Sequence, residues 1–259
     1  MLRARILSAL VMIPVALLAI WSGGVAFALL VAAAAAVMAW EWTRMVSGGA
    51  FALAGQTAAL LCSLAALTAL WSPPLALTLL AAAVVAAISL VRPHSLSARR
   101  WLGLGMIYCG LPAIALVWLR GADQSGLMLM LWLMLLVWAT DIGAYAAGRT
   151  VGGPLLLPSV SPKKTWAGLI GGMVSAALVG VVAALFFLPV ASPLVLGGLS
   201  AGLAVVAQAG DLLESWVKRR WGVKDSSNII PGHGGVLDRV DGLLAAGLAV
   251  AGFHLLTGA

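Results

Sequence analysis

The chain's 259 residues carry eight carboxylates, and five of them, Asp211, Glu214, Asp225, Asp238 and Asp241, fall between residues 211 and 241. In "AQAGDLLESWVKRR", Glu214, Ser215 and Lys218 follow Asp211 by three, four and seven positions. On a helix that spacing places them on one face. Asp238 and Asp241 are also three apart, so two segments each present a pair of carboxylates. Four such groups held close together repel one another, and a divalent cation removes the conflict. Hard oxygen ligands suit Mg²⁺, which keeps waters and bridges to substrate phosphates. Asp211, Glu214, Asp238 and Asp241 are therefore the expected metal ligands. The plainer alternative is helix-end capping and ion pairs with Lys218, Arg219 and Arg239.

Between the two pairs lies "PGHGG", residues 231–235. Glycines let backbone N–H groups converge on an anion. His233, beside Gly234 and Gly235, is placed to donate to a phosphate or a base. A second cluster stands upstream in "ATDIGAYAAGRTVGGPLLLPSVSPKKTWAG", residues 139–168. There Asp141, Tyr145, Gly148 and Arg149 recur at helical spacing. "SPKKT" then reads as a helix start, with Ser161 as N-cap and Pro162 as the first helical residue. Lys163 and Lys164 would sit at the positive end of that helix, disfavoured by a few tenths of a kcal/mol. An anion bound at the exposed N–H groups would explain the placement. Ordinary cytoplasmic anchoring would explain it too. "GRTVGG" does not fit the phosphate loop GxxxxGK[ST].

The elements that must hold these groups are apolar. Charged residues make up 9% of the chain, hydrophobic residues 63%, and mean hydropathy is +1.11. A soluble chain is roughly 25% charged. Apolar runs near the length needed to cross a bilayer fall at 5–21, 24–40, 51–71, 74–91, 101–119, 126–148, 166–188, 193–212 and 241–257. The expected fold is all-α, a polytopic transmembrane bundle of about nine helices. The period-two alternation of an outer-membrane barrel is absent, and helices satisfy their backbone within lipid segment by segment. Two regions are expected: N-terminal spans over 1–120, and a catalytic membrane region over 121–259 that carries the loop 211–242.

With the N-terminus in the cytoplasm, nine alternating spans bring Arg3, Arg5, Arg44, Arg92, Arg99, Arg100, Arg149, Lys163, Lys164 and the 218–239 cluster to one side. Arg120 alone of the fifteen Lys and Arg falls opposite. This is the positive-inside pattern. It accounts for the net charge of +7 through topology and anionic lipid, not nucleic acid. The first run reads as an uncleaved helix, since no small-x-small site ends it. Cys62 and Cys109 lie inside spans and are expected to pack as small apolar residues. Trp21, Trp40, Trp42, Trp71, Trp101 and Trp118 suit an interfacial belt. Gly168/Gly172 and Gly198/Gly202 suit close helix contacts.

Basic groups, a metal-binding acid set and a glycine loop at one end of a membrane bundle point to polyphosphate chemistry on a lipid. The residues also carry a resemblance. "SWVKRRWGVKDSSNIIPGHGGVLDRVDG", residues 215–242, resembles the signature of the phosphatidate cytidylyltransferases: S-x-hydrophobic-K-R, then K-D, then H-G-G-hydrophobic-x-D-R-hydrophobic-D. Ser215, Lys218, Arg219, Lys224, Asp225, His233, Gly234, Gly235, Asp238, Arg239 and Asp241 all fall on it. "GDLLES" and "SPKKTWAG" resemble the preceding family blocks. The resemblance is specific over about 139–242, and upstream "EWTRM" and the spans are compatible with it.

It implies transfer of CMP from CTP to phosphatidic acid, giving CDP-diacylglycerol and pyrophosphate, with Mg²⁺ and a second cation such as K⁺. It implies that Asp211 and Asp238 coordinate metal. Members are often homodimers, and the setting implied is the bacterial inner membrane with the active site facing the cytoplasm. A phosphatidate oxygen would attack the α-phosphorus of CTP. Lys218, Arg219, Lys224 and Arg239 would stabilise pyrophosphate or steer CTP, and Lys163 and Lys164 would receive a phosphate. A CTP-dependent polyprenol or phytol kinase shares parts of the pattern and stays open at this point. An ion-coupled transporter, with acids near the midplane in broken helices, is disfavoured because all the acids but Asp141 lie near helix ends.

Overall fold

A computed structural model describes residues 2–89, 96–121 and 123–257, with side chains described from residue 6 onward. Arg92 and the side chains of Arg3 and Arg5, part of the expected charge pattern, lie outside the described residues. Nine helices occur among those described: α1 (Leu2–Ser22), α2 (Gly24–Val46), α3 (Leu53–Thr68), α4 (Pro73–Ser89), α5 (Leu96–Arg120), α6 (Gln124–Thr150), α7 (Trp166–Phe186), α8 (Pro193–Arg220) and α9 (Leu237–Thr257). α2 and α5 to α9 are long and apolar enough to cross a membrane, whereas the apolar parts of α1, α3 and α4 are shorter. The fold is that of an integral membrane protein.

Packing follows the rule for helices in lipid. Lipid tails are as apolar as leucine, so helix contact is driven by close approach of small residues rather than by burial of large ones. Ala28, Ala35, Ala58, Ala65, Ala83 and Ala113 are fully buried, while Leu10, Leu18, Leu60 and Val85 are exposed.

The chain divides into two units. The first, Met1–Asp123 with Trp221–Val240, contains α1 to α5 and the glycine loop up to the first turn of α9. Its α2, α3, α4 and α5 pack on one another. Trp42 departs from the expected belt: it is buried, donates from Nε1 to the Trp101 carbonyl at 2.7 Å, and stacks on the Trp101 ring. Cys62 and Cys109 are buried free thiols, as expected.

Arg120, expected on the side opposite the other cations, has a local task. Its Nε donates to the Ile20 carbonyl at 2.7 Å and its Nη2 to that of Trp21 at 3.2 Å. Its Nη1 reaches the carbonyls of Gly121 and Asp123. Helix C-termini leave carbonyls unpaired, and a cation there also favours the helix dipole. Gly23 makes room for it. Its φ is +60°, and a Cβ there would collide with the guanidinium.

The second unit, Gln124–Arg220 with Asp241–Ala259, holds α6, a hairpin of β1 (Leu155–Leu157) and β2 (Ser161–Thr165), then α7, α8 and most of α9. α6 packs on α7 and α7 on α8. Gly168 and Gly172 serve close contact as expected. A Cβ on Gly168 would stand 2.9 Å from the Ala144 carbonyl, and one on Gly172 would stand 3.0 Å from that of Thr140. Gly198 and Gly202 do not, since nothing described lies within 4 Å of either position.

The expected helix start at Ser161 is corrected. Residues 161–165 form β2, paired antiparallel with β1, and α7 begins at Trp166. The N-cap is Thr165, whose Oγ1 accepts the Gly168 N–H at 3.0 Å. Ser161 and Pro162 are therefore strand residues, and Lys163 and Lys164 precede the helix dipole's first turn rather than occupying it.

Candidate functional site

In the second unit a cavity of about 530 Å³ opens between α6, β2, α7 and α8. Helical periodicity on α6 delivers Asp141, Tyr145 and Arg149 to it, one turn apart. β2 contributes Lys163 and Lys164, and α8 contributes Gln208 and Asp211. α8 has 28 residues, about 42 Å at 1.5 Å per residue. That exceeds a hydrocarbon core of about 30 Å, so the helix is long enough to cross and still carry its charged final turns beyond the lipid tails.

Asp211 is the hub of this cavity. Its Oδ2 lies 2.6 Å from Lys164 Nζ, and its Oδ1 accepts the Ser215 hydroxyl at 3.2 Å. Arg149 Nη1 donates to Tyr145 Oη at 3.0 Å, which steadies both side chains at the cavity's edge. Asp241, half-buried on α9, is close enough for its charge to interact with those of Asp211, Asp141 and Lys218. The second unit thus brings together Asp211, Asp241, Asp141, Lys163, Lys164 and Arg149.

Glu214 and Lys218 form an ion pair one turn apart on α8, and both are buried. Glu214, expected as a metal ligand, is matched by its own helix neighbour, which is the plainer reading. Arg219 is exposed in the last turn of α8, a favourable position for a cation. Among the described residues, no three His, Cys, Asp or Glu side chains group so as to hold a metal ion.

The glycine loop belongs to the first unit and is held by two carboxylates. Asp238, buried in the first turn of α9, accepts three hydrogen bonds at Oδ2: from Ser226 N at 2.9 Å, Ser226 Oγ at 2.9 Å and Gly235 N at 2.8 Å. Reaching back three residues from a helix start resembles half of a capping box. Glu41 of α2, fully buried, accepts from Ser227 Oγ at 2.6 Å, Val236 N at 2.8 Å and Leu237 N at 2.8 Å. The amides expected to converge on a substrate anion thus converge, at Gly235, on the chain's own Asp238. Gly235 must be glycine, because a Cβ would overlap Ser226 Oγ and Glu41 Oε1.

His233 Nδ1 lies 2.7 Å from Ser8 Oγ on α1, which fixes its ring. Gly234 turns the loop with φ +88° and bridges to Ile230. Lys224, Asp225 and Arg239 are exposed.

Glu41, Ser226 and Gln208 are the site residues that local sequence reading leaves unassigned. For Glu41 a signal exists: it is the one carboxylate before Asp123, on a predominantly apolar helix, where an acid is functional by default.

The chain matches, over residues 3–257, the model of a family described as "Cytidylyltransferase family". A phosphatidate cytidylyltransferase of Brucella suis biovar 1 (strain 1330) is 40% identical over 250 residues, covering 95% of this chain and 90% of the relative. One from Pseudomonas aeruginosa PAO1 is 38% identical over 263 residues, covering 95% and 94%. One from Haemophilus influenzae Rd is 46% identical over 129 residues, covering 47% of this chain.

Proposed function

This chain belongs to the cytidylyltransferase family, and on that premise we propose that it transfers CMP from CTP to phosphatidic acid, giving CDP-diacylglycerol and pyrophosphate. The observation that carries the reading is the Asp211–Lys164 pair inside a cavity that also holds Arg149 and Lys163. Two carboxylates, Asp141 and Asp211, and three cations in one cleft suit phosphates that arrive and leave as anions beside a cation.

In this reaction a phosphate oxygen of phosphatidic acid forms a bond to the α-phosphorus of CTP. The bond from that phosphorus to the bridging oxygen of the β-phosphate breaks, and pyrophosphate leaves with the electron pair. The attacking oxygen already carries charge, so no proton needs to be removed. Positioning and charge neutralisation therefore carry the rate. Lys163, Lys164 and Arg149 receive phosphate oxygens. Asp211 holds Lys164 in place, and Ser215 orients Asp211. The resemblance assigns Lys218, Arg219, Lys224 and Arg239 to pyrophosphate or to steering CTP.

The donor set fits Mg²⁺, which is often bound by one or two carboxylates, waters and substrate phosphates. Asp211 and Asp241 are hard oxygen donors within charge-interaction range, and Asp211 is already paired with the Lys164 ammonium. These two would hold the ion; the resemblance also assigns metal coordination to Asp238 and names K⁺ as a second cation. When bound, Mg²⁺ offsets the negative charge of the nucleotide phosphates.

The basic residues on one side support an N-terminus and active site facing the cytoplasm, nine crossings of a bacterial inner membrane, and substrate delivered within the lipid. A homodimer completes the proposal.

Chelation checks the metal. Pyrophosphate release by purified protein, given CTP and phosphatidic acid, falls below detection in EDTA and returns with excess Mg²⁺. Release that continues unchanged in EDTA would remove the metal from the mechanism.

A further inference from the structure

We infer that Glu41 is a positioning residue for CMP transfer, fixing from α2 the loop that carries Asp238. The inference rests on the activity proposed above. Three observations lead to it, all within the first unit.

First, Glu41 is fully buried near the end of α2 and takes three donors from a segment 186 to 196 residues away. An ionised carboxylate only accepts hydrogen bonds, and charge-assisted bonds of this kind are roughly twice as strong as neutral ones.

Second, two of those donors, Val236 N and Leu237 N, stand at the start of α9. Helix N-terminal N–H groups have no partner within the helix, and a carboxylate near them also favours the dipole. Glu41 therefore sets where α9 begins. Asp238 is the next residue after Leu237.

Third, the two carboxylates divide one loop between them. Asp238 takes Ser226 and Gly235, and Glu41 takes Ser227, Val236 and Leu237. Each grips both ends of the segment 226–237, and Gly235 lets them approach. The Asp238 carboxylate is held where it is only while that segment is closed, and Glu41 supplies half of the six hydrogen bonds of that closure from outside it.

The test uses full-length protein purified in detergent, with two readouts. Hydrogen–deuterium exchange over 226–237 reports loop closure without any reaction. Steady-state kinetics report kcat and KM for CTP and phosphatidic acid. In Glu41→Gln, exchange in that segment rises, and kcat per folded molecule falls about 10- to 100-fold, the range for partners that orient a ligand. Both KM values stay within about threefold of wild type, because the cavity residues that receive phosphate are unchanged. Glu41→Asp, which keeps the carboxylate, recovers part of kcat. Ser227→Ala removes one donor and leaves Glu41 in place. It shows the same split with a smaller loss, and it decides the matter if Glu41→Gln does not fold. Turnover per folded molecule within twofold of wild type in Glu41→Gln, or in Ser227→Ala where only that variant folds, overturns the inference. A wild-type protein that makes no CDP-lipid while 226–237 stays protected overturns the activity instead, and the two failures are distinct.

Discussion

Replacing Asp211 by Asn lowers turnover about 100- to 1000-fold, the range seen when a preorganised electrostatic group is removed from a reacting centre, while the protein still inserts and folds. The side chain keeps its size, so the bond from Ser215 survives through the remaining oxygen. What disappears is the charge. Lys164, held 2.6 Å from that carboxylate, loses the partner that fixes it in the cavity, and Asp241 loses the neighbour with which it would share a divalent ion. The Mg²⁺ concentration needed for half-maximal rate should rise along with the loss of kcat. Circular dichroism and gel filtration in detergent check the fold, and pyrophosphate release checks the rate. Near-normal turnover at ordinary Mg²⁺ would show that Asp211 serves only as the counterion of Lys164.

Asp238→Asn has a comparable effect by a different route. Its Oδ2 gathers Ser226 N, Ser226 Oγ and Gly235 N. An amide oxygen can occupy the same place but offers a neutral acceptor, and neutral hydrogen bonds are roughly half as strong as charge-assisted ones. The loop loosens and the charge is lost together. CMP transfer is expected to fall by about 100-fold or more, with exchange over 226–237 raised in the same variant. Near-normal turnover in purified Asp238→Asn would remove this residue from the reacting centre and leave it a helix cap.

Much of this was legible in the chain itself because it is local. Hydropathy found all nine described helices, since in lipid an apolar stretch of the right length has few alternatives to a helix, but it stopped α2 at residue 40 and α8 at residue 212, where they run on to Val46 and Arg220. The spacing of Asp211, Glu214, Ser215 and Lys218 held because α8 continues to Arg220. It could not tell which acids would meet a basic neighbour. Glu214 paired with Lys218 one turn away, and Asp211 paired with Lys164 from a distant strand.

The hairpin was missed for a physical reason. "SPKKT" contains two residues able to cap a helix, Ser161 and Thr165, and Ser161 followed by Pro162 obeys the grammar of a helix start. Pairing with Leu155–Leu157 extends the segment and leaves the cap to Thr165. Glu41 was missed because its partners are nearly 200 residues away, beyond any periodicity. The same holds for Arg120, whose charge looked misplaced until the carbonyls of α1 gave it a function.

The fate of the CTP phosphates tests the activity most directly. Purified protein in detergent micelles with phosphatidic acid and Mg²⁺ is given CTP labelled at either the α- or the γ-phosphorus, and the lipid is extracted. The expected result is α-label in the lipid and γ-label in free pyrophosphate. Label from the γ position in the lipid, with none from the α position, would mean a kinase and would contradict CMP transfer.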